Sequence, residues 1–297
     1  MSFTIAHSVD EALAALAAGA RPIAGGSDLV VSARHGKAAL PADLVAIDRL
    51  DELKSVVATK EGVSIGALVT HHDIEMHPLL STTYAGLADG SALVGSPSTR
   101  HVGTLGGNIM NSSPAMDTGA PLAVMRAEVE LRSVRGSRRV PIEELWTGPG
   151  KTSAQPDELC VAVHIPAPAA RSNSAYIRLE YRRAMEIAVV GAAAFVTLAD
   201  DGTIAALRVG LTAVSPTIFT GDLVGQVGRS VADAAAAAAQ MSMEQATPIS
   251  DVRASDSYRR HTVGVMARRA VEAAARRAAG ETIAIPVNRA IGIGAAS

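Results

Sequence analysis

The chain has 297 residues, 48% hydrophobic, 19% charged and 3% aromatic, with 27 Lys and Arg against 29 Asp and Glu for a formal charge of −2. That length suggests two domains, and the balanced charge leaves no positive excess to displace counterions, which excludes nucleic-acid binding as the leading reading. No apolar run reaches the roughly 18 residues of a membrane span, MSFTIAHSVDEAL lacks the basic and apolar stretches of a signal peptide, and a lone Cys160 excludes both an intrachain disulfide framework and a cluster held by four cysteines of this chain; the composition fits a soluble, cytoplasmic, Ala-rich protein.

The first predicted helix runs from Val9 to Ala18, with Ser8 and Glu11 in capping-box spacing and Gly19 as its stop. A short extended segment, Arg21 to Ala24, leads into the turn Gly25-Gly26. Leu44–Asp48 and Gly62–Ala67 read as strands. Thr70 and Asp73 form a second capping box, opening a helix towards Met76 that Pro78 interrupts. A small-residue helix is predicted from Tyr84 to Leu93. After it, Gly95 to Pro114 reads as a long loop of Gly, Ser, Thr and Asn, and loops of that length inside a domain are usually functional. Glu128–Arg132 and Cys160–Ile165 alternate as strands do. Pro166 to Ser174 marks a domain boundary. Beyond it, Asp200-Asp201-Gly202 joins two β-rich runs, Val189–Ala199 and Thr203–Ala213, as a hairpin. Helices follow over Val231–Met241 and Ser257–Ala279. The second places Val263, Met266, Ala270, Val271 and Ala274 on one face and leaves the Arg pairs 259/260, 268/269 and 276/277 as a solvated face. From Ala284 to Ser297 no pattern stands out, and a loose tail is expected.

Several apparent motifs fail on inspection. Gly148-Pro149-Gly150-Lys151-Thr152 ends like a phosphate-binding loop but has Leu145 where the first Gly is needed. Gly292-Ile293-Gly294 is followed by Ser297 instead of a third Gly, and no Gly-x-Ser-x-Gly elbow is present. His71, His72 and His77 do not share one helical face and read as a solvated helix start, not as metal ligands. Two Gly-rich segments remain: Ile23-Ala24-Gly25-Gly26-Ser27-Asp28-Leu29, after a strand, and Gly103-Thr104-Leu105-Gly106-Gly107-Asn108, with Asp117 nine residues on. Paired glycines permit positive φ and close backbone approach, and successive inward N–H groups form a nest that suits a diphosphate without any Lys or Arg. Ser27, Thr104 and Asn108 add neutral hydrogen-bonding groups, and Asp117 can accept from sugar or ribityl hydroxyls.

At these segments the chain resembles the FAD-binding medium subunit of the molybdenum hydroxylases, a group that includes xanthine, carbon monoxide and N-heterocycle dehydrogenases. Ala24-Gly25-Gly26-Ser27-Asp28-Leu29 is similar to the family's first flavin loop, and Thr104-Leu105-Gly106-Gly107-Asn108 with Ser113-Pro114-Ala115-Met116-Asp117 to its second. Arg182-Arg183-Ala184-Met185-Glu186-Ile187-Ala188 is similar to a third motif, near the flavin ring.

The resemblance implies an α+β fold of the vanillyl-alcohol-oxidase type. Residues 1–170 would bind FAD in two subdomains, about 1–55 and 56–170, followed by a C-terminal flavoprotein domain over 175–285 and a tail over 286–297. Ile23 to Leu29 and Thr104 to Asn108 would line the cofactor diphosphate, with Asp117 also in contact. Val94 matches a position near the ring that is aromatic in some relatives, Cys160 one where a relative offers Leu, and Arg178 one where that relative has Lys; Ile187 belongs to the ring motif. The FAD would be noncovalent. The partners implied are a large subunit with a molybdopterin-type molybdenum cofactor and a small subunit with two 2Fe–2S clusters, assembled as a dimer of heterotrimers. The chain would then carry electrons from the clusters to a final acceptor. Ser27-Asp28 is closer to the purine and N-heterocycle enzymes, which favours a heteroaromatic substrate. The rival readings are a self-contained flavin oxidase and a scaffold subunit that has lost FAD.

Overall fold

The computed structural model describes residues 2–36 and 38–292. Three sheets follow one another along the chain. In the first, Asp43–Ala46 lies between Ser2–Ile5 and Arg21–Ile23, parallel to both. The helix Val9–Ala17 carries the chain from Ser2–Ile5 to Arg21–Ile23, which lie on opposite sides of Asp43–Ala46 and run in the same direction. Ser8 Oγ accepts the Glu11 amide (3.2 Å), while the Glu11 carboxylate reaches back one residue further than expected, to the His7 amide (2.8 Å). The buried face of that helix, Val9, Ala12, Leu13 and Leu16, packs with Val45, Ile47 and Leu50.

The second sheet is antiparallel, in the order Val56–Ala58, Gly62–Gly66, Leu159–Pro166, Glu128–Ser133, Gly136–Pro141. The third, also antiparallel, runs Ser172–Leu179, Val190–Leu198, Ile204–Thr212, Phe219–Asp222 in sequence order, with the expected Asp-Gly hairpin between its middle strands.

Both faces of the third sheet are covered. Because side chains alternate along a strand, Ala175, Ile177, Ala192, Ala194 and Val196 enter a core with the helices Val231–Gln245 and Asp256–Ala278, whereas Tyr176 and Ala193 enter the core shared with the preceding domain. The helix Ala85–Leu93, AGLADGSAL, is buried at every position and wedges between the second and third sheets. Only a small-residue sequence fits there: a Cβ on Gly86 would press on Ser174.

Three expectations need correction. Gly95–Pro114 is not a loop, since it contains the helices Pro97–Arg100 and Leu105–Asn111, each started by a local hydroxyl cap, Ser96 on Thr99 and Thr104 on Gly107. The Arg pairs are not wholly solvated. Arg259 is buried and donates to the Val189 carbonyl (2.6 Å) and Asp251 (2.7 Å), and Arg277 is buried against Asp89, because a 3.6-residue period turns one member of each of these pairs inward. The tail is not loose where it is described: Val287–Ala290 forms a helical turn in which Val287 and Asn288 have no exposed surface. Residues 293–297 of that tail lie outside the described residues. No helix among the described residues is long and apolar enough to cross a membrane.

Asp89, on the wedge helix, collects Arg277 (2.5 and 3.0 Å) and the amides of Tyr176 (3.2 Å) and Val287 (2.8 Å). Removing one partner of such a pair strands a buried charge, so Asp89→Ala is expected to lower the unfolding free energy by about 3–5 kcal/mol. Urea unfolding monitored by circular dichroism checks this, with Arg126→Ala, which breaks an exposed ion pair to Asp222, as the nearly neutral comparison.

Candidate cofactor site

The strand Arg21–Ile23 ends where the Ile23 carbonyl accepts from Ile47 (3.0 Å). The chain turns through Gly26, at φ +66°, into the short helix Leu29–Arg34 with Asp28 at its N-cap. Among the described residues, no backbone amide from Ala24 through Leu29 donates to a protein acceptor. A helix start leaves its first amides free, and a run of free, solvent-reachable amides after a strand is able to receive an outside acceptor. Gly25 is required for a different reason: a Cβ there would overlap the Val102 carbonyl. A Cβ on Gly103 would stand 3.6 Å from Ser27 Oγ. The first segment therefore lies against the turn that leads into the second.

The second segment is built otherwise than expected. Thr104 Oγ1 accepts from the Gly107 amide (3.2 Å), and the amides of Leu105, Gly106 and Asn108 donate to the carbonyls of Val69, Ala67 and Thr104 (3.0, 2.9 and 3.0 Å). The amides of Leu105 through Asn108 are thus consumed at the helix start, and the run of consecutive unbonded amides lies in the first segment. Of the four paired glycines only Gly26 takes positive φ. Gly106 is fixed by contact with Ala67. Gly107 is exposed, and a Cβ there would meet only the Thr104 hydroxyl, which leaves an open shelf at the start of this helix. Asn108 Oδ1 accepts from Thr118 (2.6 Å) and holds that side chain in place.

Beyond this cradle, Val94 closes the wedge helix, its carbonyl accepting from Arg100 (3.2 Å). The Gly95 carbonyl accepts from the Met185 amide (2.8 Å), and the Thr99 hydroxyl lies 3.8 Å from the Met185 sulfur. Met185 holds a left-handed φ of +53° with its side chain exposed, and Ile187 is also exposed. The third motif is therefore brought from the C-terminal domain to the same edge as Val94.

Asp117 is nearly buried, accepting from Tyr176 (2.9 Å) and Arg178 (2.6 Å), and Arg178 Nε donates to Glu180 (2.8 Å). Burial pushes the Asp117 carboxyl above the usual range, with Arg178 and Tyr176 opposing. Leu105 and Arg178 have no exposed surface and Cys160 only 5%, so their side chains are enclosed by the chain itself. Burial raises the Cys160 thiol to about 12, which leaves no thiolate. His71 was not foreseen as a buried residue. It sits beneath Gly103 at 2% exposure, its Nδ1 without a partner among the described residues, and its capping-box position in sequence gave no sign of burial.

Unpaired amides, an open glycine shelf and neutral polar side chains without any Lys or Arg suit the diphosphate of a dinucleotide. Residues 1–168 match the family described as "FAD binding domain in molybdopterin dehydrogenase", and residues 175–274 match "CO dehydrogenase flavoprotein C-terminal domain". The chain belongs to the FAD-binding medium subunits of the molybdenum hydroxylases. This flavoprotein subunit is 32% identical over 262 residues to the carbon monoxide dehydrogenase medium chain of Afipia carboxidovorans, covering 87% of this chain and 90% of that one. It is 34% identical over 202 residues to the nicotinate dehydrogenase FAD-subunit of Eubacterium barkeri, covering 66% and 68%. Among solved structures it is similar to a chain of the carbon monoxide dehydrogenase of Hydrogenophaga pseudoflava that lacks the Mo-pyranopterin moiety of its cofactor (TM-score 0.88, 29% identity, 93% and 98% covered). It is also similar to a chain of quinoline 2-oxidoreductase from Pseudomonas putida 86 (TM-score 0.85, 27% identity, 94% and 98% covered). The subunit is thus an oxidoreductase flavoprotein of α+β fold.

Burial, with Arg100 adding, lowers His71 to about 4, so the folded chain keeps the imidazole neutral where the unfolded chain, at about 6.5, takes a proton. Stability is therefore expected to fall as pH drops below about 6.5, by up to about 3 kcal/mol near pH 4. Urea melts across that range check this, and His71→Gln should remove that share of the pH dependence.

Proposed function

We propose that this subunit holds one noncovalent FAD in a cleft between residues 1–55 and 56–170, with residues 175–285 completing the ring side, and that it is the electron-transfer component of a cytoplasmic molybdenum hydroxylase. The observation that carries this reading is the run of unbonded amides from Ala24 through Leu29, set against the Val102–Gly103 turn. Those amides, with Ser27, Thr104, Gly107 and Asn108, would receive the diphosphate. Val94 and Ile187 would pack near the ring, and Asp117, tied to Arg178, would fix the wall behind it. Once bound, FAD supplies the capacity to take electrons singly and release them singly or in pairs. The chain's own part is to bind, orient and shield. Among the described residues no group of three or more His, Cys, Asp or Glu could hold a metal ion, so the cradle is the chemistry this chain offers.

The electron donor in this proposal is a small subunit with two 2Fe–2S clusters, fed by a large molybdenum subunit, the whole assembling as a dimer of heterotrimers. Likeness to chains named for carbon monoxide dehydrogenase supports partner subunits. Likeness to chains named for nicotinate dehydrogenase and quinoline 2-oxidoreductase supports an N-heterocyclic substrate for the assembled enzyme.

Purified protein is expected to carry about one FAD per chain that acid releases into the supernatant; flavin retained on the denatured chain, or FMN in its place, contradicts noncovalent FAD. Gly107→Val, whose branched side chain fills the open position beside Thr104, is expected to abolish flavin retention with the far-ultraviolet spectrum unchanged, because its bulk would keep the diphosphate from the neighbouring backbone and each hydrogen bond lost in that way costs roughly 1.5–3 kcal/mol. In rapid mixing, substrate should bleach the flavin band only when the large and small subunits are present. Bleaching of the isolated chain would make it a self-contained oxidase, and a chain that takes up no FAD would be a scaffold.

A further inference from the structure

The C-terminal turn Val287–Ala290 does more than fill space. Asn288 has no exposed surface, and its side chain binds both backbone groups of one residue: Oδ1 accepts from the Arg178 amide (3.0 Å) and Nδ2 donates to the Arg178 carbonyl (2.8 Å). An amide side chain used in this way takes the place of a neighbouring strand at the edge of the third sheet, where Ser172–Leu179 has Val190–Leu198 on its other side. Val287, the preceding residue, is tied by its own amide to Asp89 on the wedge helix (2.8 Å).

What Asn288 holds is the residue that spans the ring side of the site. The Arg178 guanidinium reaches Asp117 in the FAD-binding domain (2.6 Å), Glu180 just past the end of its own strand (2.8 Å) and the Glu186 carbonyl within the third motif (3.4 Å). Arg178 itself has no exposed surface, so it acts through these partners. Its backbone position decides whether one cation can serve the wall at Asp117 and the segment Met185–Ile187 together. Two hydrogen bonds to that backbone, between residues with no exposed surface, restrict it in the way a supporting shell fixes a binding group.

We propose that Asn288 is a positioning residue for the flavin pocket, acting through Arg178 to seat the Met185–Ile187 segment against the FAD-binding domain. This rests on the flavoprotein reading above. The Arg259–Asp251 pair and the Asp89–Arg277 pair also tie elements together, but neither touches both Asp117 and the third motif.

The test uses the full-length protein stripped of flavin and titrated with FAD, following quenching of flavin fluorescence, the visible absorption band of the bound flavin and the thermal midpoint. Asn288→Ala is expected to weaken FAD binding about tenfold, the size of one or two ordinary hydrogen bonds, and to shift the visible band. Asn288→Ser adds no charge and keeps a hydroxyl able to serve one of the two Arg178 backbone groups; it should fall between wild type and Ala, and it carries the comparison if Asn288→Ala does not fold. Val287→Ala loosens the same turn by a core truncation without touching Arg178, and should lower the thermal midpoint while leaving FAD affinity within about twofold of wild type. Wild-type affinity and an unshifted band in both Asn288 variants overturn the proposal, as does equal weakening by Val287→Ala. A wild-type chain that binds no FAD refutes the flavoprotein reading instead, and the two failures are told apart by that control.

Discussion

Guanidinium groups are buried at the joint between the domains, and the placement of what surrounds the site depends on how the charges of two of them, Arg277 and Arg178, are answered. Arg277 meets Asp89, and Arg178 meets Asp117 and Glu180, with the four side chains of the two closest pairs at 0–8% exposure. Withdrawing such charges from water is costly, and the cost is offset only when every partner stands in the right place. Asp89 receives groups from a strand, from the long helix and from the C-terminal turn, while Asp117 receives groups from one strand of the third sheet. A small displacement of one domain would break several of these bonds together. The C-terminal domain is held in one pose by geometry-dependent charge pairing as well as by apolar contact.

That fixed pose bears on the proposed function, in which the cofactor cradle and the ring side come from different parts of the chain. The proposed cradle would use backbone amides in the first segment and a glycine shelf in the second. Met185 and Ile187, beside Val94, arrive only after the polypeptide has crossed the domain boundary. Amides bind an anion with partial charges fixed in direction and need no mobile cation. Such a site works only if the backbone is immobile. Gly25 packed on Val102, Gly106 packed on Ala67 and the Thr104 cap each remove freedom from it.

The local elements were legible because they rest on local rules. The Thr70–Asp73 capping box forms with both of its bonds, the Asp-Gly hairpin falls where it was expected, and the inward stripe of the last long helix is buried as its period requires. The reading of Gly95–Pro114 as a loop failed because composition alone hides short capped helices. The solvated reading of the Arg pairs failed because an Arg is buried only if a partner distant in sequence waits for it, and Asp89 is 188 residues from Arg277.

The sequence by itself determined which segments could form a phosphate-binding cradle and which family the chain belongs to, since glycine spacing and neutral polar side chains are properties of short stretches. Tertiary structure alone decided that the run of free amides lies in the first segment, that Arg178 and Cys160 are buried, and that Asn288 reaches Arg178. Each of these depends on what distant strands and helices place against a group: the Val69 and Ala67 carbonyls take up the second segment's amides, and the buried carboxylates draw Arg178 inward. Hydrogen-bond supply and desolvation are settled by three-dimensional neighbours, and no short stretch of sequence carries them.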